Sequence, residues 1–304
     1  MRNRIKIALS MVLCVGSMGT ACPLGGKSAN PHYVPDIPDP LYASGQGPTV
    51  LWHQWHTTVV SPDRYRHFLT LAKADGFVEL VSQEPLDQID FSGVAVVAIF
   101  LPDGDFTPDE VAALWEYVEQ GGSVFIAGDH HGHADAVNVL TAPVGVVLAY
   151  SDIVHLGTNC SDPRCPEPNP VKAYTFKDDG VPTTGMINPH PITEGIPYLQ
   201  TYNGSAVVDW PEEAEPLLVF GSDAFDGVTG TSLEGGARIA CGTHGFGRYC
   251  VSSETQVVAS ICVGSCAGQL TGFGGKYQGT PDAEYNEEFA LRLIRWLAGE
   301  DDAL

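Results

Sequence analysis

Hydrophobic runs and helical stripes alternate along the first half of the chain. Short apolar runs at 49–52, 77–81, 94–101 and 123–127 have the length of β-strands, and the run at 94–101 is apolar throughout. Strands that are buried on both faces have this composition, as in a parallel sheet covered by helices. The segment Thr107-Pro108-Asp109-Glu110 predicts a capped helix start between the last two runs. This alternation predicts an α/β domain with a mostly parallel sheet.

The second half of the chain is less regular. Residues 151–190 are rich in proline, contain two cysteines and predict a long excursion from the sheet. The runs 237–241 and 248–251 flank a glycine-rich turn and predict a hairpin. Residues 282–297 carry apolar side chains along one side and predict an amphipathic helix. We therefore expect an irregular second half that contains disulfides.

The first 21 residues have the layout of a bacterial export signal. Three basic residues precede an apolar run at 7–15, which is too short to span a bilayer, and small residues follow it. Cys22 ends a segment that resembles a lipobox, so we expect it to be lipidated, with simple cleavage nearby as the alternative. The protein is then an exported envelope lipoprotein, periplasmic or surface-facing, or a secreted one.

The proline-rich segment 22–48 predicts an extended tether without a core face. Residues 49–304 then form a single domain, and the membrane is a partner through the lipid anchor if Cys22 is acylated.

Charge limits the ligands. With 15 basic and 37 acidic side chains the net charge is −22, which argues against nucleic acid as a partner because that binding needs a basic face. No nucleotide cofactor is indicated. The sequence leaves open whether a protein or a small molecule is the partner.

Six cysteines follow the signal, an even number that in an exported chain predicts up to three disulfides. They are Cys160, Cys165, Cys241, Cys250, Cys262 and Cys266. Zinc binding by these thiols is the alternative, although no Cys-x-x-Cys pair occurs. The two cysteines of the predicted hairpin, Cys241 and Cys250, are expected to pair.

The most unusual segment directly follows the strand at 123–127. It contains three histidines and two aspartates within seven residues, the ligand types of Zn, Mn or Fe. In a parallel sheet the carboxyl ends of the strands lie at one edge, so His53, which follows the first predicted strand, is expected beside these residues. The predicted metal ligands are His53, Asp129, His130, His131, His133 and Asp135, and Asp129 and His130 are also catalytic candidates. A solvated histidine-rich loop is the alternative.

Weaker candidates are distributed over the same edge and the later loops. They are His56, Asp103, Asp105, Asp152, His155, His190, Asp223 and His244. Asn138, in the predicted helix after the histidine-rich loop, is expected to be a polar anchor for that loop.

The segments 106–111, 117–126, 128–130 and 138–140 resemble the class I glutamine amidotransferase-like fold, closest to its GIFT-type and uncharacterised exported branches. The resemblance implies a flavodoxin-like three-layer sandwich. Glutamine amidotransferase activity needs a cysteine in a Gly-x-Cys-x-Gly elbow, followed along the chain by a histidine and a glutamate. Cys266 lies in a run of this form, residues 264–268, but no histidine follows it. That activity is therefore not expected.

A second, local resemblance is to metallo-β-lactamase-like hydrolases. The run His131-Gly132-His133-Ala134-Asp135 matches five positions of their His-x-His-x-Asp-His motif, and Ala136 replaces the last histidine. In that fold the motif follows antiparallel strands, whereas in this chain strands and helices alternate before it.

Two functions remain open. The histidine-rich edge favours a metal-dependent hydrolase, in which the ion activates a bound water. The absence of a histidine after the one cysteine elbow favours a non-catalytic ligand- or partner-binding module on the same fold. A metallo-β-lactamase-like hydrolase is the third reading.

Overall fold

The structure is a computed structural model and describes residues 27–56, 65–155, 173–177, 185–202, 204–227, 229–263, 270–272 and 285–301. Its strands are β1 Lys27–Ala29, β2 Thr49–His53, β3 Val78–Ser82, β4 Val94–Phe100, β5 Ser123–Ala127, β6 Val147–Leu148, β7 Ile153–His155, β8 Ala173–Lys177, β9 Gly185–Ile187, β10 Tyr198–Tyr202, β11 Val207–Asp209, β12 Ala214–Pro216, β13 Leu218–Val219, β14 Ala224–Asp226, β15 Ile239–His244, β16 Gly247–Ser252, β17 Ser260–Val263 and β18 Leu270–Gly272. Its helices are α1 Arg66–Ala74, α2 Pro108–Glu119, α3 Ala134–Thr141 and α4 Tyr285–Leu297.

A seven-stranded sheet forms the centre of the domain, in the order β12-β15-β16-β5-β4-β2-β3. The five strands from β16 to β3 are parallel to their neighbours, whereas β15 is antiparallel to both β12 and β16. The mostly parallel α/β sheet predicted from the alternating pattern is therefore confirmed.

Helices cover both faces of this sheet and give three layers. On one face, α1 and α4 pack through Phe68 and Phe289 against side chains such as Phe100 of β4. On the other face, α2 and α3 pack through Leu114 and Leu140. Because both faces are covered, β4 is almost wholly buried, which explains its continuous apolar sequence.

The start of α2 has the capping box that the sequence predicts. The Thr107 hydroxyl accepts a hydrogen bond from the Glu110 N–H at 3.2 Å, and the Glu110 carboxylate accepts from the Thr107 N–H at 2.9 Å. Pro108 occupies the first helical position, where a missing N–H costs nothing. This cap fixes where the chain leaves β4 and enters the helix.

The described part of the proline-rich segment packs against the domain, which differs from the predicted tether at 22–48. Residues 27–29 pair with β17, and Tyr33, Ile37, Leu41 and Tyr42 pack on the core. These apolar side chains recur about every four residues and give the segment a buried side despite its prolines. The export signal and Cys22 lie outside the described residues.

The second half adds smaller sheets beside the main one. Strand β8, within the predicted excursion, lies between β10 and β9 in a four-stranded sheet that ends at β13. The hairpin predicted from the glycine-rich turn is β15–β16, in which Cys241 and Cys250 form a disulfide. Cys160, Cys165 and Cys266 lie outside the described residues, and of Cys262 only the backbone is described.

Candidate functional site

The parallel strands bring several polar loops to one edge of the sheet. His53 at the end of β2 is in register with Ile99 of β4, and Ala127 at the end of β5 is in register with Phe100 and Ser252. The loops that follow these strands therefore leave at the same carboxyl edge, where open α/β sheets place their ligands.

His53 is fully buried at this edge. Its Nε2 lies 3.1 Å from the Glu84 carbonyl oxygen, and its Nδ1 is buried with no hydrogen-bond partner. Burial lowers the pKa of the imidazole to about 4, so the ring is neutral at pH 7. A neutral ring beside a carbonyl carries its proton on Nε2, which leaves the Nδ1 lone pair directed inward.

His56 follows His53 and pairs with a different partner. Its Nε2 lies 3.2 Å from Oε1 of Glu110, the same residue that caps α2. Burial acts to raise the pKa of the Glu110 carboxyl, but hydrogen bonds from Thr107 and the nearby His56 outweigh it and lower the pKa. The Phe106 ring lies against His56 with centroids 4.8 Å apart. His53, His56 and Glu110 thus form one arm of the edge.

The histidine-rich loop forms the second arm, at the end of β5. An Asp129 carboxylate oxygen accepts the His130 N–H at 2.8 Å, and the His133 N–H donates to the His130 carbonyl at 3.0 Å. These bonds hold one 3₁₀ turn, His131–His133, directly before α3. The His130 and His133 rings lie 5.6 Å apart between centroids. The structure thus brings this pair of the predicted ligands together.

Two further predicted ligands of this loop, His131 and Asp135, are not part of this pair. The side chain of His131 lies outside what the structure describes, and Asp135 is exposed in the first turn of α3. Asn138 was expected to anchor this loop, but its amide exchanges two hydrogen bonds with the backbone of Leu148 in β6, at 3.0 and 2.7 Å.

Glu254 and Arg238 are buried at the same edge and were not predicted from the sequence. The Glu254 carboxylate accepts the N–H groups of Gln256 at 2.6 Å and Val257 at 2.8 Å. Burial raises its pKa to about 7; the charge of Asp129 adds to this effect and the charge of Arg238 opposes it. A charged residue three positions after the apolar run of β16 was the available signal.

Arg238 connects the end of β16 to the neighbouring segments. Its Nη1 donates to the Ser205 carbonyl at 2.8 Å, and its Nε donates to the Thr201 hydroxyl at 3.2 Å. Its own carbonyl accepts the Ser253 N–H at 2.9 Å. A network of buried polar groups therefore joins these segments beside the second arm.

Two of the weaker candidates lie against tryptophan rings. His190 packs edge-on against Trp296 with centroids 5.0 Å apart, and His244 packs against Trp115 at 5.5 Å. His244 ends β15, which runs opposite to the parallel strands, so it lies at the other edge of the sheet. These two positions are consistent with structural roles.

Within the described residues, no group of three histidine, cysteine, aspartate or glutamate side chains is arranged to hold a metal ion. Among the predicted ligands, the His130 and His133 rings lie 5.6 Å apart between centroids. His53 belongs to the other arm, where its partner is the Glu84 carbonyl. Likewise, no described helix has the length and apolar composition needed to cross a membrane.

Comparison with known proteins identifies the fold. No family profile and no curated protein sequence matches the chain. Among solved structures, the N-terminal domain of mmIFT52 aligns with a TM-score of 0.57 and 14% identity, covering 82% of this chain and 96% of that one. A ThuA-like protein from Bacteroides uniformis aligns with a TM-score of 0.47 and 14% identity, covering 88% and 98%. A cytoplasmic protein from Salmonella typhimurium aligns at 0.47 and 12%, covering 82% and 98%.

These comparisons correct the family resemblance drawn from the sequence. The similar structure with a TM-score above 0.5 is an IFT52 domain, in place of the GIFT-type and exported branches named above. The metallo-β-lactamase resemblance is wrong, because His131–His133 is a 3₁₀ turn that follows a strand of a parallel sheet. At 14% identity the likeness to the IFT52 domain shows a shared fold and nothing more.

Proposed function

We propose that this domain is a binding module that takes up a divalent transition-metal ion at His130 and His133. The observation that carries the proposal is the 5.6 Å between the two ring centroids. Two imidazoles that bind one tetrahedral ion through nitrogens at 2.0–2.1 Å place their ring centroids about 5–6 Å apart. The pair thus has the spacing of two ligands of one ion.

The surroundings of the pair also favour a cation. The turn that carries both histidines is fixed by its own hydrogen bonds, so the rings need little rearrangement. His133 Nδ1 is buried with no hydrogen-bond partner. Asp129 lies beside the pair, and the chain carries a net charge of −22, which attracts cations to the surface. Imidazole and carboxylate together suit Zn, Mn or Fe.

Calorimetric titration of the untagged domain with ZnCl₂ tests the proposal. We expect one equivalent to bind to the native protein, and the double variant His130→Ala/His133→Ala to lose at least tenfold in affinity. His32→Ala removes an exposed histidine from the N-terminal segment and is the matched control, expected to bind as the native protein does. Equal affinity of the double variant and the control would overturn the proposal.

A second candidate function, metal-dependent hydrolysis, rests on the same pair. Two protein ligands leave positions on the ion for water, whose pKa a bound metal lowers towards about 7. Asp129, which is hydrogen-bonded to the His130 backbone, would supply a carboxylate near that water. Zinc-loaded protein that hydrolyses activated esters, with activity lost in His130→Ala/His133→Ala, would support it. Zinc binding without turnover would leave a non-catalytic binding module.

We also propose that the protein is exported and anchored through Cys22. The buried Cys241–Cys250 disulfide supports export, because such bonds persist in oxidising compartments. Cell fractionation of Cys22→Ser, with Cys14→Ser as control, tests the anchor. Native-like partitioning of Cys22→Ser into membranes, with no lipid on Cys22 in the native protein, would refute it.

A further inference from the structure

Strand β3 ends the central sheet and has a free outer edge among the described residues. It hydrogen-bonds to β2 on one side only. Three of its five side chains are exposed apolar ones: Val78 at 39%, Leu80 at 46% and Val81 at 39%. Soluble proteins usually protect such an edge with proline, several charges or a bulge, because it pairs readily with other strands. Here Glu79 is the strand's only charged residue.

The hydrogen bonds to β2 show which backbone groups face outward. The Val78 N–H donates to the Pro48 carbonyl at 3.1 Å, and the Ser82 carbonyl accepts the Gln54 N–H at 2.8 Å. Since successive residues of a strand direct these groups to opposite sides, Val78, Leu80 and Ser82 all face β2. The N–H and C=O groups of Glu79 and Val81 therefore face outward, which gives two donors and two acceptors.

We propose that a second copy of this chain docks here, pairing β3 with β3 in antiparallel register about a two-fold axis at Leu80. In this register Glu79 of one copy lies opposite Val81 of the other. Opposed residues whose backbone groups face each other exchange two hydrogen bonds. The two symmetric Glu79–Val81 pairs thus form four hydrogen bonds and use every outward-facing group of those two residues.

The side chains favour the same register. Leu80 meets Leu80 of the second copy in a non-hydrogen-bonded pair, where Cα atoms approach to about 4.5 Å and side chains contact closely. Leu80 lies on the same face as Leu51, its partner in register, beside a cavity of about 590 Å³ that the second copy would partly cover. This central contact is apolar.

Charge also suits a second copy. Glu79 faces Val81 rather than the other Glu79, so like charges are not directly opposed. The Lys73 ammonium lies 3.5 Å from the Glu79 carboxylate and partly neutralises it. The edge is self-complementary, as a two-fold interface must be. The remaining repulsion between two chains of net charge −22 is long-range, so salt should strengthen the dimer.

Sedimentation velocity over a range of protein concentrations tests the dimer. We expect reversible dimerisation that strengthens between about 0.05 and 0.5 M NaCl, because that range shortens the screening length severalfold. Leu80→Lys places two ammonium groups opposite each other and should abolish it. Val139→Lys is the matched control, because Val139 is also 46% exposed but lies on α3. A native protein that stays monomeric, or a dimer that both variants retain, would overturn the proposal.

Disulfide trapping tests the register itself. Leu80→Cys should cross-link two copies on mild oxidation, because its Cα atoms meet at about 4.5 Å, within the range of a disulfide. Val78→Cys should remain uncross-linked. Val78 of one copy lies opposite Ser82 of the other, so the two Val78 positions are about 13 Å apart. Cross-linking of Val78→Cys in preference to Leu80→Cys would show another register and overturn the proposal. Pairing with an extended segment of a different protein would leave the native chain monomeric in both experiments.

Discussion

Cys241 and Cys250 lie directly opposite each other on β15 and β16, with Cα atoms 4.1 Å apart and their sulfurs bonded. Both side chains are buried on the face of the sheet that α1 and α4 cover. The bond joins the one antiparallel neighbour to the parallel part of the sheet, at the strand that leads to Ser253 and Glu254. The disulfide therefore helps to hold the strand that leads to the buried Ser253 and Glu254 at the candidate site.

Reduction of this disulfide should lower the free energy of unfolding by about 2–3 kcal/mol, because the bond closes a short loop in the unfolded chain. Urea unfolding with and without dithiothreitol measures the change. The variant Cys241→Ala/Cys250→Ala serves as control and should respond less to the reductant than the native protein. An unchanged free energy after reduction at this pair is verified would contradict the prediction.

His53 should make the domain less stable in mild acid. Its pKa is about 4 in the folded protein, below the 6.5 of an exposed histidine, mainly because burial disfavours the charged ring. Between pH 6.5 and 4 the unfolded chain binds the extra proton, so stability falls as pH falls through this window. The full effect is on the order of 3 kcal/mol and is present as stability only above pH 6.5.

The variant His53→Gln isolates this effect, because glutamine retains an N–H donor for the Glu84 carbonyl but does not titrate. Free energies of unfolding in urea at pH 4.5, 5.5 and 7.0 provide the measurement. As the pH is lowered across the series, the free energy of unfolding of the native protein should fall relative to that of the variant. Parallel pH profiles would show that folding does not lower the pKa of His53.

The sequence predicts the sheet better than the site. Strands and the α2 cap follow from local apolar runs and a four-residue motif, both legible without tertiary information. His53 was placed at the correct strand end, but its burial depends on facing the same side as Leu51 and Phe106, which requires the packing. Glu254 and Arg238 are 16 residues apart and come together only through the β15–β16 hairpin.

Long-range ion pairs are equally invisible in the sequence. Asp75 is fully buried, and both its carboxylate oxygens accept from the Arg295 guanidinium, at 2.6 and 2.8 Å, across 220 residues. The same carboxylate accepts the Leu41 N–H at 2.8 Å. This contact joins the N-terminal segment to α1 and α4, and the proline pattern alone gave no sign of it.

Asp75→Ala should lower the free energy of unfolding by about 3–5 kcal/mol, because it leaves the Arg295 charge without its buried partner. Amide hydrogen exchange at Leu41 should accelerate as its acceptor is lost. Glu288→Ala removes the exposed pair with Arg292 and is the control, expected to cost less than about 1 kcal/mol. A cost for Asp75→Ala no larger than for the control would show that the pair does not hold this segment.

Glu254 should shift stability in the opposite direction to His53. Burial raises its folded-state pKa to about 7 from 4.5, so the folded protein favours the protonated acid. This contribution is complete below pH 4.5 and is lost as pH rises to about 7, a change on the order of 3 kcal/mol.

Glu254→Gln is neutral at every pH but gives up one of the two acceptors for Gln256 and Val257, a cost that does not vary with pH. The free energy of unfolding of the variant should therefore rise relative to that of the native protein between pH 4.5 and 8. Urea unfolding measures it, with EDTA present to exclude bound metal. A constant difference across that range would mean that Glu254 is ionised throughout and that the Arg238 charge outweighs burial.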